Sequence, residues 1–279
     1  MIWTQIVNPV IFNALGLQLR YNGFIYALTF ILAYFIIKKE FKRNNINISR
    51  NNLVNIIIAV FCGGLTGARF FYVVLDYNYY WIESKYWYEV FMIWQGGFSL
   101  FGAISAGSLT IWLVYKFFGI RFDILFDIFA LVFVLSQAIA RVGNYINGDF
   151  YGIPTERNWG VIFEYGQAAY DYPGMALHPV MLYEAILNLT LFLILSYLKN
   201  LKFKFGFIAS AYLFFYSIIR FIISFYTADD IFFYDYNTAQ ILSLTMFIFS
   251  LSLIIGFQLY QKPSQYRQKE YVPSRKWKL

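Results

Sequence analysis

Long apolar stretches alternate with short polar connections along almost the whole chain. Each stretch is close to the ~20 residues that an α-helix needs to cross the hydrocarbon core of a bilayer. The pattern therefore predicts an all-α, polytopic membrane protein with about seven transmembrane helices. The predicted spans are 22–37, 52–75, 96–115, 122–140, 180–198, 206–226 and 238–260.

The composition supports this class. Of the 279 residues, 60% are hydrophobic and 23% aromatic, only 13% are charged, and the mean hydropathy is +0.54. Soluble proteins are nearer ~45–50% apolar and ~25% charged, and disordered chains are far less hydrophobic, so the composition argues against both. The single cysteine, Cys62, and the single histidine, His178, exclude an internal disulfide and a multi-histidine metal site. We therefore expect no metal and no organic cofactor.

The positions of the basic residues predict an orientation. Sixteen of the 22 Lys and Arg residues lie on alternate connections between the spans, so these connections are predicted to face the cytoplasm. The N-terminus is then outside and the C-terminus cytoplasmic. We expect one transmembrane domain over 1–262 and a basic cytoplasmic tail over 263–279. The net charge of +7 is explained by topology and by attraction to anionic lipids, and no nucleic-acid partner is expected.

Three arginines do not fit this topological pattern. Arg69, Arg141 and Arg220 lie within apolar spans or at their predicted external ends. An arginine at such a place costs at least ~2.5 kcal/mol on insertion scales, so it needs a partner or a function. One interpretation is that these side chains snorkel to the lipid head groups. The other is that the guanidiniums form an external site for a phosphate or carboxylate, because their planar fork donates two hydrogen bonds to such an anion.

Polar residues and glycines are concentrated just after Arg141. The run from Ala140 to Gly152 contains two asparagines, one aspartate and three glycines where an apolar span meets the surface. Such residues can hold a head group through amide hydrogen bonds and close backbone approach. They can equally turn the chain at the membrane surface and do nothing more.

This run resembles the signature of the prolipoprotein diacylglyceryl transferase family, G-R-x-G-N-F-x-N-G-E-x-x-G, with Ala140 for Gly and Asp149 for Glu. Further segments match in the order of the family. They are Gly67-Ala68-Arg69 with Tyr72, Trp94-Gln95-Gly96-Gly97-Phe98-Ser99, His178-Pro179 with Tyr183-Glu184, Tyr216 with Arg220-Phe221, and Gln240-Ile241-Leu242-Ser243. The ordered set spans most of the chain, and the predicted topology agrees with it.

The resemblance implies an inner-membrane enzyme that moves the diacylglyceryl group of phosphatidylglycerol to the lipobox cysteine thiol of a prolipoprotein. A thioether forms and glycerol 1-phosphate is released. Arg141 and Arg220 are expected to neutralise the departing phosphate, Tyr216 to orient a partner, and Asp149, Glu184 or water to take the thiol proton. The residues expected to bind substrate are Asn144, Gly152, Arg69, Gly97, Ser99, Glu184 and His178.

The sequence departs from the family pattern at charged and polar positions. The usual histidine is replaced by Phe101, a tyrosine by Asn22, a glutamate by Ser224 and a basic residue by Thr227. The phosphate-neutralising residues are therefore kept, while groups that could act as acid or base are missing. Two alternatives stay open: a non-catalytic lipid-binding paralogue, and a transferase with another lipid or acceptor. A small-anion transporter would need a polar path to the cytoplasm, which the inner halves of the spans do not offer.

Overall fold

The computed structural model describes residues 3–14, 17–83, 86–92, 97–228, 232–233 and 236–262. The protein is mainly helical, as the hydrophobic pattern predicts, and every predicted span falls largely on a helix. The eight α-helices of the described residues are α1 (Tyr21–Arg43), α2 (Arg50–Leu75), α3 (Leu100–Phe118), α4 (Phe122–Asn147), α5 (Gln167–Asp171), α6 (Val180–Leu198), α7 (Phe207–Ser224) and α8 (Thr238–Gly256).

Five of these helices are long and apolar enough to cross a membrane: α2, α4, α6, α7 and α8. A shorter apolar helical segment, Gly102–Phe118, lies within α3. The chain is therefore an all-α, multi-pass membrane protein. The number of seven crossings and the external N-terminus stay predictions, and the basic tail at 263–279 lies outside the described residues.

Short strands, which the hydrophobic pattern did not predict, accompany the helices. β1 (Trp3–Gln5) pairs in parallel with β4 (Val161–Phe163). The other pairs are antiparallel: β2 (Val10–Ala14) with β3 (Leu17–Arg20), and β5 (Phe232–Phe233) with β6 (Tyr236–Asn237). Backbone N–H and C=O groups in the segments outside the helices need hydrogen-bond partners, and these strand pairs supply some of them.

The chain folds as two compact units. Within the described residues, the first unit takes those up to Ile37 and those from Asp127 onwards, and the second takes Lys38–Phe126. The first unit contains two apolar cores. One core joins α4, α6 and α7 through Ala130, Leu131, Val134, Leu191, Leu195, Ile208, Ala211 and Tyr212. The other lies around β4 and the first turn of α6, through Tyr151, Val161, Phe163, Ala168, Leu177, Val180, Met181 and Ile223.

The second unit depends on close packing of α2 against α3. A Cβ built on Gly67 would lie 2.2 Å from the Cβ of Ala106 and 2.6 Å from the carbonyl oxygen of Gly102. The small residues Gly67, Gly102 and Ala106 therefore let α2 and α3 approach closely. α3 begins where Ser99 caps it, its Oγ accepting a hydrogen bond from the Gly102 amide.

Candidate functional site

The signature run forms a tight turn at the end of α4. The helix continues to Asn147, beyond the predicted end at 140, so that Arg141 lies inside the helix. Gly148 then adopts a φ of +69°, and a Cβ on it would lie 2.3 Å from the carbonyl oxygen of Tyr165. The amide of Asp149 donates to the Asn144 carbonyl at 3.0 Å. The run thus continues the helix for six residues beyond Arg141 and then turns the chain at Gly148, where only glycine fits.

Four predicted residues meet in the first unit. Arg141 Nη2 donates to Glu184 Oε1 at 3.0 Å, and Arg220 Nη1 lies 3.9 Å from Glu184 Oε2. The hydroxyl of Tyr216 donates to Glu184 Oε1 at 3.3 Å. Glu184 is fully buried, whereas the two arginine side chains are 20% and 21% exposed. We call these four residues the arginine–glutamate cluster; it places two cations around one buried carboxylate.

Phe150 lies against both arginines of this cluster. Its ring centroid is 3.8 Å from the Cζ of Arg141 and 4.8 Å from the Cζ of Arg220. Its φ is +56°, a left-handed backbone that follows directly from the glycine turn. A ring over the face of a guanidinium is attracted by the cation and does not cover the edge that carries the N–H groups.

Asn144 and Asp149 hold the turn beside the cluster. The carbonyl of Asn144 accepts from the Asp149 amide, and the side-chain Oδ2 of Asp149 accepts from Asn147 Nδ2 at 3.1 Å. Both Asn144 and Asp149 are partly exposed. Their predicted roles in binding and proton transfer stay predictions.

Gly152 joins the turn to the segments before α6 and after α7. Its amide donates to the carbonyl of His178 at 3.1 Å, and a Cβ on it would lie 2.5 Å from that oxygen and 2.7 Å from the carbonyl oxygen of Tyr226. No side chain fits there without moving backbone. Gly152 therefore fixes the turn in place, whatever its predicted contact with substrate.

His178 belongs to an aromatic network near the start of α6. Its Nδ1 lies 3.2 Å from the hydroxyl of Tyr183, which accepts from Trp159 Nε1 at 2.8 Å. The His178 ring also packs on Tyr226 at 5.2 Å between centroids. Partial burial, and secondly the charge of Arg157, lower the pKa of His178 below its ordinary value, so its imidazole is neutral at pH 7.

Arg69, the third arginine, lies in the second unit and is buried, at 5% exposure. Its Nε donates to Val90 O at 2.9 Å, its Nη2 to Glu89 O at 2.7 Å and its Nη1 to Gly97 O at 3.2 Å. Arg69 thus holds the α2–α3 connection at two places, at residues 89–90 and at Gly97. This also gives Gly97 a positional role: its φ is +76°, and a Cβ would lie 2.5 Å from a ring carbon of Tyr72.

The departures from the family pattern have a simple structural account where the structure describes them. Ser224 and Thr227 are both buried. The Ser224 hydroxyl donates to Phe221 O at 2.7 Å, and the Thr227 hydroxyl to Ile223 O at 3.0 Å. Two charged residues of the family pattern are thus replaced by hydroxyls that bond to their own chain. The side chains of Phe101 and Asn22 lie outside the described residues.

Sequence reasoning missed three residues near this site. Phe150 gives no sequence signal, because one more phenylalanine in a chain with 32 resembles a lipid-facing residue. Gln137 and Asn188 do give a sequence signal, because they are polar residues in apolar spans. Gln137 lies four residues before Arg141 and Asn188 four residues after Glu184, so each shares a helix face with a cluster residue.

Fold and site together define a multi-pass membrane protein in which two arginines flank a buried glutamate near the ends of its helices. The family model described as prolipoprotein diacylglyceryl transferase matches residues 9–256. The chain therefore belongs to the prolipoprotein diacylglyceryl transferase family.

Relatives named phosphatidylglycerol–prolipoprotein diacylglyceryl transferase come from several bacteria. The chain is 31% identical to that of Finegoldia magna over 253 residues, which cover 90% of this chain and 96% of the relative. It is 30% identical to that of Geobacter sulfurreducens over 254 residues, with 89% and 95% covered, and 29% identical to that of Thermotoga maritima over 266 residues, with 93% and 88% covered.

Proposed function

We propose that this protein transfers the diacylglyceryl group of phosphatidylglycerol to the lipobox cysteine of prolipoproteins in the cytoplasmic membrane. The observation that carries the proposal is the arginine–glutamate cluster, in which two guanidiniums flank one buried carboxylate. The two guanidiniums suit the phosphate that leaves, because this phosphate is the group of the lipid on which negative charge increases during the reaction.

The charges of the cluster suit this lipid. Two arginines and one glutamate carry a net charge of +1, and the phosphodiester of phosphatidylglycerol carries a single negative charge. Binding therefore neutralises the cluster, and a buried cluster with no excess charge costs least in a low-dielectric bundle. The N–H edges that Phe150 leaves uncovered can reach the phosphate oxygens in pairs.

The reaction places defined demands on the site. The cysteine sulfur attacks the glycerol carbon next to the phosphate, so a carbon–sulfur bond forms and the carbon–oxygen bond to phosphate breaks. The bonding electrons leave with the phosphate oxygen, and the thiol proton is passed to a base. Arg141 and Arg220 stabilise the negative charge that collects on the leaving phosphate, which is their proposed catalytic role.

We assign the proton to Asp149 in preference to Glu184. Glu184 is fully buried and accepts from Arg141 and Tyr216, so its charge is engaged within the cluster. Asp149 is partly exposed and directly precedes Phe150, whose ring covers Arg141. The expected result for Asp149→Asn is a lower kcat with an unchanged KM for phosphatidylglycerol. An unchanged kcat would return the role to Glu184 or to water.

A second candidate function is that of a lipid-binding protein without transferase activity. It is favoured by Ser224 and Thr227, which replace two charged residues of the family pattern and whose hydroxyls bond to their own backbone. Such a protein would bind phosphatidylglycerol through Arg141 and Arg220 and would form no thioether.

The test is a transfer assay with phosphatidylglycerol and a lipobox peptide in membranes that contain this protein, read by mass. The proposal expects a peptide heavier by one diacylglyceryl group, and loss of this product in Arg141→Lys and Arg220→Lys, which keep the charge but lose the fork. Arg121→Lys is the matched control and should keep activity, because Arg121 pairs with Asp123 and is not a member of the cluster.

Binding without product in the wild-type protein would support the lipid-binding alternative. Wild-type product in both cluster variants would instead overturn the assignment of the site.

A further inference from the structure

A second polar layer lies one helical turn from the arginine–glutamate cluster, on the side away from the turn at Gly148. Four residues along an α-helix correspond to a rise of ~6 Å on nearly the same face. On α4, α6 and α7, the residue four positions from a cluster residue, on the side away from the turn at Gly148, is polar. These residues are Gln137 on α4, Asn188 on α6 and Tyr212 on α7.

Two residues of this inner layer bond to each other, and the third does not. The Tyr212 hydroxyl donates to Gln137 Oε1 at 2.9 Å. Asn188 is fully buried, and neither its Nδ2 nor its Oδ1 has a hydrogen-bond partner among the described residues. A buried amide that makes no hydrogen bond opposes folding, since it gave up its bonds to water.

Asn188 is also the last polar residue before the apolar core of the bundle. The next residues on its face are Leu191 and Leu195, which pack with Val134 in the core that joins α4, α6 and α7. A leucine at 188 would continue that face without an unsatisfied group. The asparagine is therefore unfavourable for packing, which points to a ligand that supplies the missing hydrogen bond.

We propose that Asn188 Nδ2 donates to an ester carbonyl oxygen of the diacylglyceryl group when the phosphate lies between Arg141 and Arg220. The proposal rests on the proposed function, because it takes phosphatidylglycerol as the substrate. It adds a subsite that binds the ester carbonyl of the glycerol group. Such a subsite distinguishes a diacyl lipid from a lipid that has the same head group but no carbonyl.

Depth and chemistry both favour the ester. In a glycerophospholipid the ester carbonyls lie a few bonds from the phosphate on the acyl-chain side, a separation of about one helical turn (~5.4 Å). Asn188 lies at that step from the cluster and on that side. An ester carbonyl accepts hydrogen bonds and donates none, and the unsatisfied N–H of Asn188 is the group that such an acceptor fits.

A peptide group of the prolipoprotein is the competing ligand, since it also contains a carbonyl. It would approach with the cysteine, whose sulfur attacks the glycerol carbon next to the phosphate. The ester carbonyls, in contrast, are joined covalently to that carbon, so their spacing from the phosphate is fixed within one molecule. This fixed spacing favours the lipid over the peptide, and the experiment separates the two.

The experiment compares diacyl phosphatidylglycerol with its ether-linked dialkyl analogue, which keeps the phosphate and lacks the carbonyls. The wild-type protein should have a kcat/KM about five- to tenfold higher for the diacyl lipid, the value of one neutral hydrogen bond. Asn188→Leu should remove this preference and leave the melting temperature in detergent equal or higher. Asn188→Ala gives the same lipid comparison should the leucine disturb folding, and Asn200→Leu, at an exposed position, is the control.

The proposal is overturned by an undiminished preference for the diacyl lipid in both Asn188 variants, or by an effect of these variants on the KM for the peptide alone. The two lipids are also compared by direct binding, measured as retained lipid in native mass spectrometry. If the wild-type protein transfers neither lipid, the proposed function fails, and the binding comparison still decides whether Asn188 reads the ester.

Discussion

Replacing Glu184 by glutamine changes the charge of the cluster with little change of shape. Glu184 is fully buried, and its two oxygens face Arg141 at 3.0 Å and Arg220 at 3.9 Å. The variant leaves two largely buried guanidiniums without the carboxylate between them, so the net charge of the cluster rises from +1 to +2. Removing one member of a buried ion pair costs about 3–5 kcal/mol, so the melting temperature should fall by roughly 6–20 °C.

The same variant should bind the released product more tightly. Glycerol phosphate carries a charge of about −1.5 to −2 at pH 7, whereas the lipid phosphodiester carries only one negative charge. A phosphate held across a guanidinium lies ~5–6 Å from the Glu184 carboxylate, and two unit charges at that distance repel by ~3 kcal/mol at an effective dielectric constant of ~20. Because both arginines are about one-fifth exposed, solvent lowers this to about 1–2 kcal/mol, which is roughly 5- to 30-fold in affinity.

The assay is inhibition of peptide lipidation by added glycerol phosphate, measured in membranes at a temperature where the variant stays folded. Glu184→Gln should lower the inhibition constant by that factor. Glu184→Asp keeps the charge, should lose stability, and should keep the wild-type inhibition constant; Glu156→Gln removes an exposed carboxylate and should change neither quantity. An inhibition constant for Glu184→Gln that is unchanged or higher would refute the electrostatic argument.

Three further predictions follow from single contacts. Tyr216→Phe removes the hydroxyl that donates to Glu184 and should lower kcat/KM for transfer about tenfold; a wild-type value would show that this bond does not matter. Gly152→Ala places a Cβ against two carbonyl oxygens and should abolish stable expression, whereas Gly23→Ala, with no atom within 4 Å of the new Cβ, should be tolerated; equal yields of both folded proteins would contradict this. Because the pKa of His178 is lowered in the folded protein, the unfolded chain takes up a proton first as the pH falls through about 6.5, and stability is lost at low pH. His178→Gln should therefore flatten the fall in melting temperature between pH 7 and pH 5, and an unchanged slope would contradict the prediction.

The helices could be predicted because each depends on a continuous run of apolar residues in the sequence. An apolar run of about 20 residues satisfies its backbone internally and its side chains in lipid, whatever packs beside it. Its ends are less predictable. α4 continues to Asn147 through a polar run, and α3 starts only where Ser99 can cap it, so the predicted bounds at 140 and 96 differ from the structure.

The candidate site could be predicted only as a set of residues. Charge in an apolar span requires an explanation, and this criterion singles out Arg141 and Arg220 from the amino-acid sequence alone. That one glutamate contacts both arginines, and that Phe150 covers them, depends on how α4, α6 and α7 pack, and no local pattern records it. Arg69 satisfies the same sequence criterion, yet its donors bond to three backbone carbonyls of its own unit.

The replacement of two charged family positions bears on function through net charge. In the family pattern the position of Ser224 holds a glutamate and that of Thr227 a basic residue, three positions apart along the chain. Losing both removes one charge of each sign, so the net charge next to Arg220 is unchanged. Each hydroxyl bonds to its own backbone, at 2.7 Å and 3.0 Å, so no buried polar group is orphaned by the change. The charge of +1 within the arginine–glutamate cluster therefore depends on Arg141, Glu184 and Arg220, and all three are present.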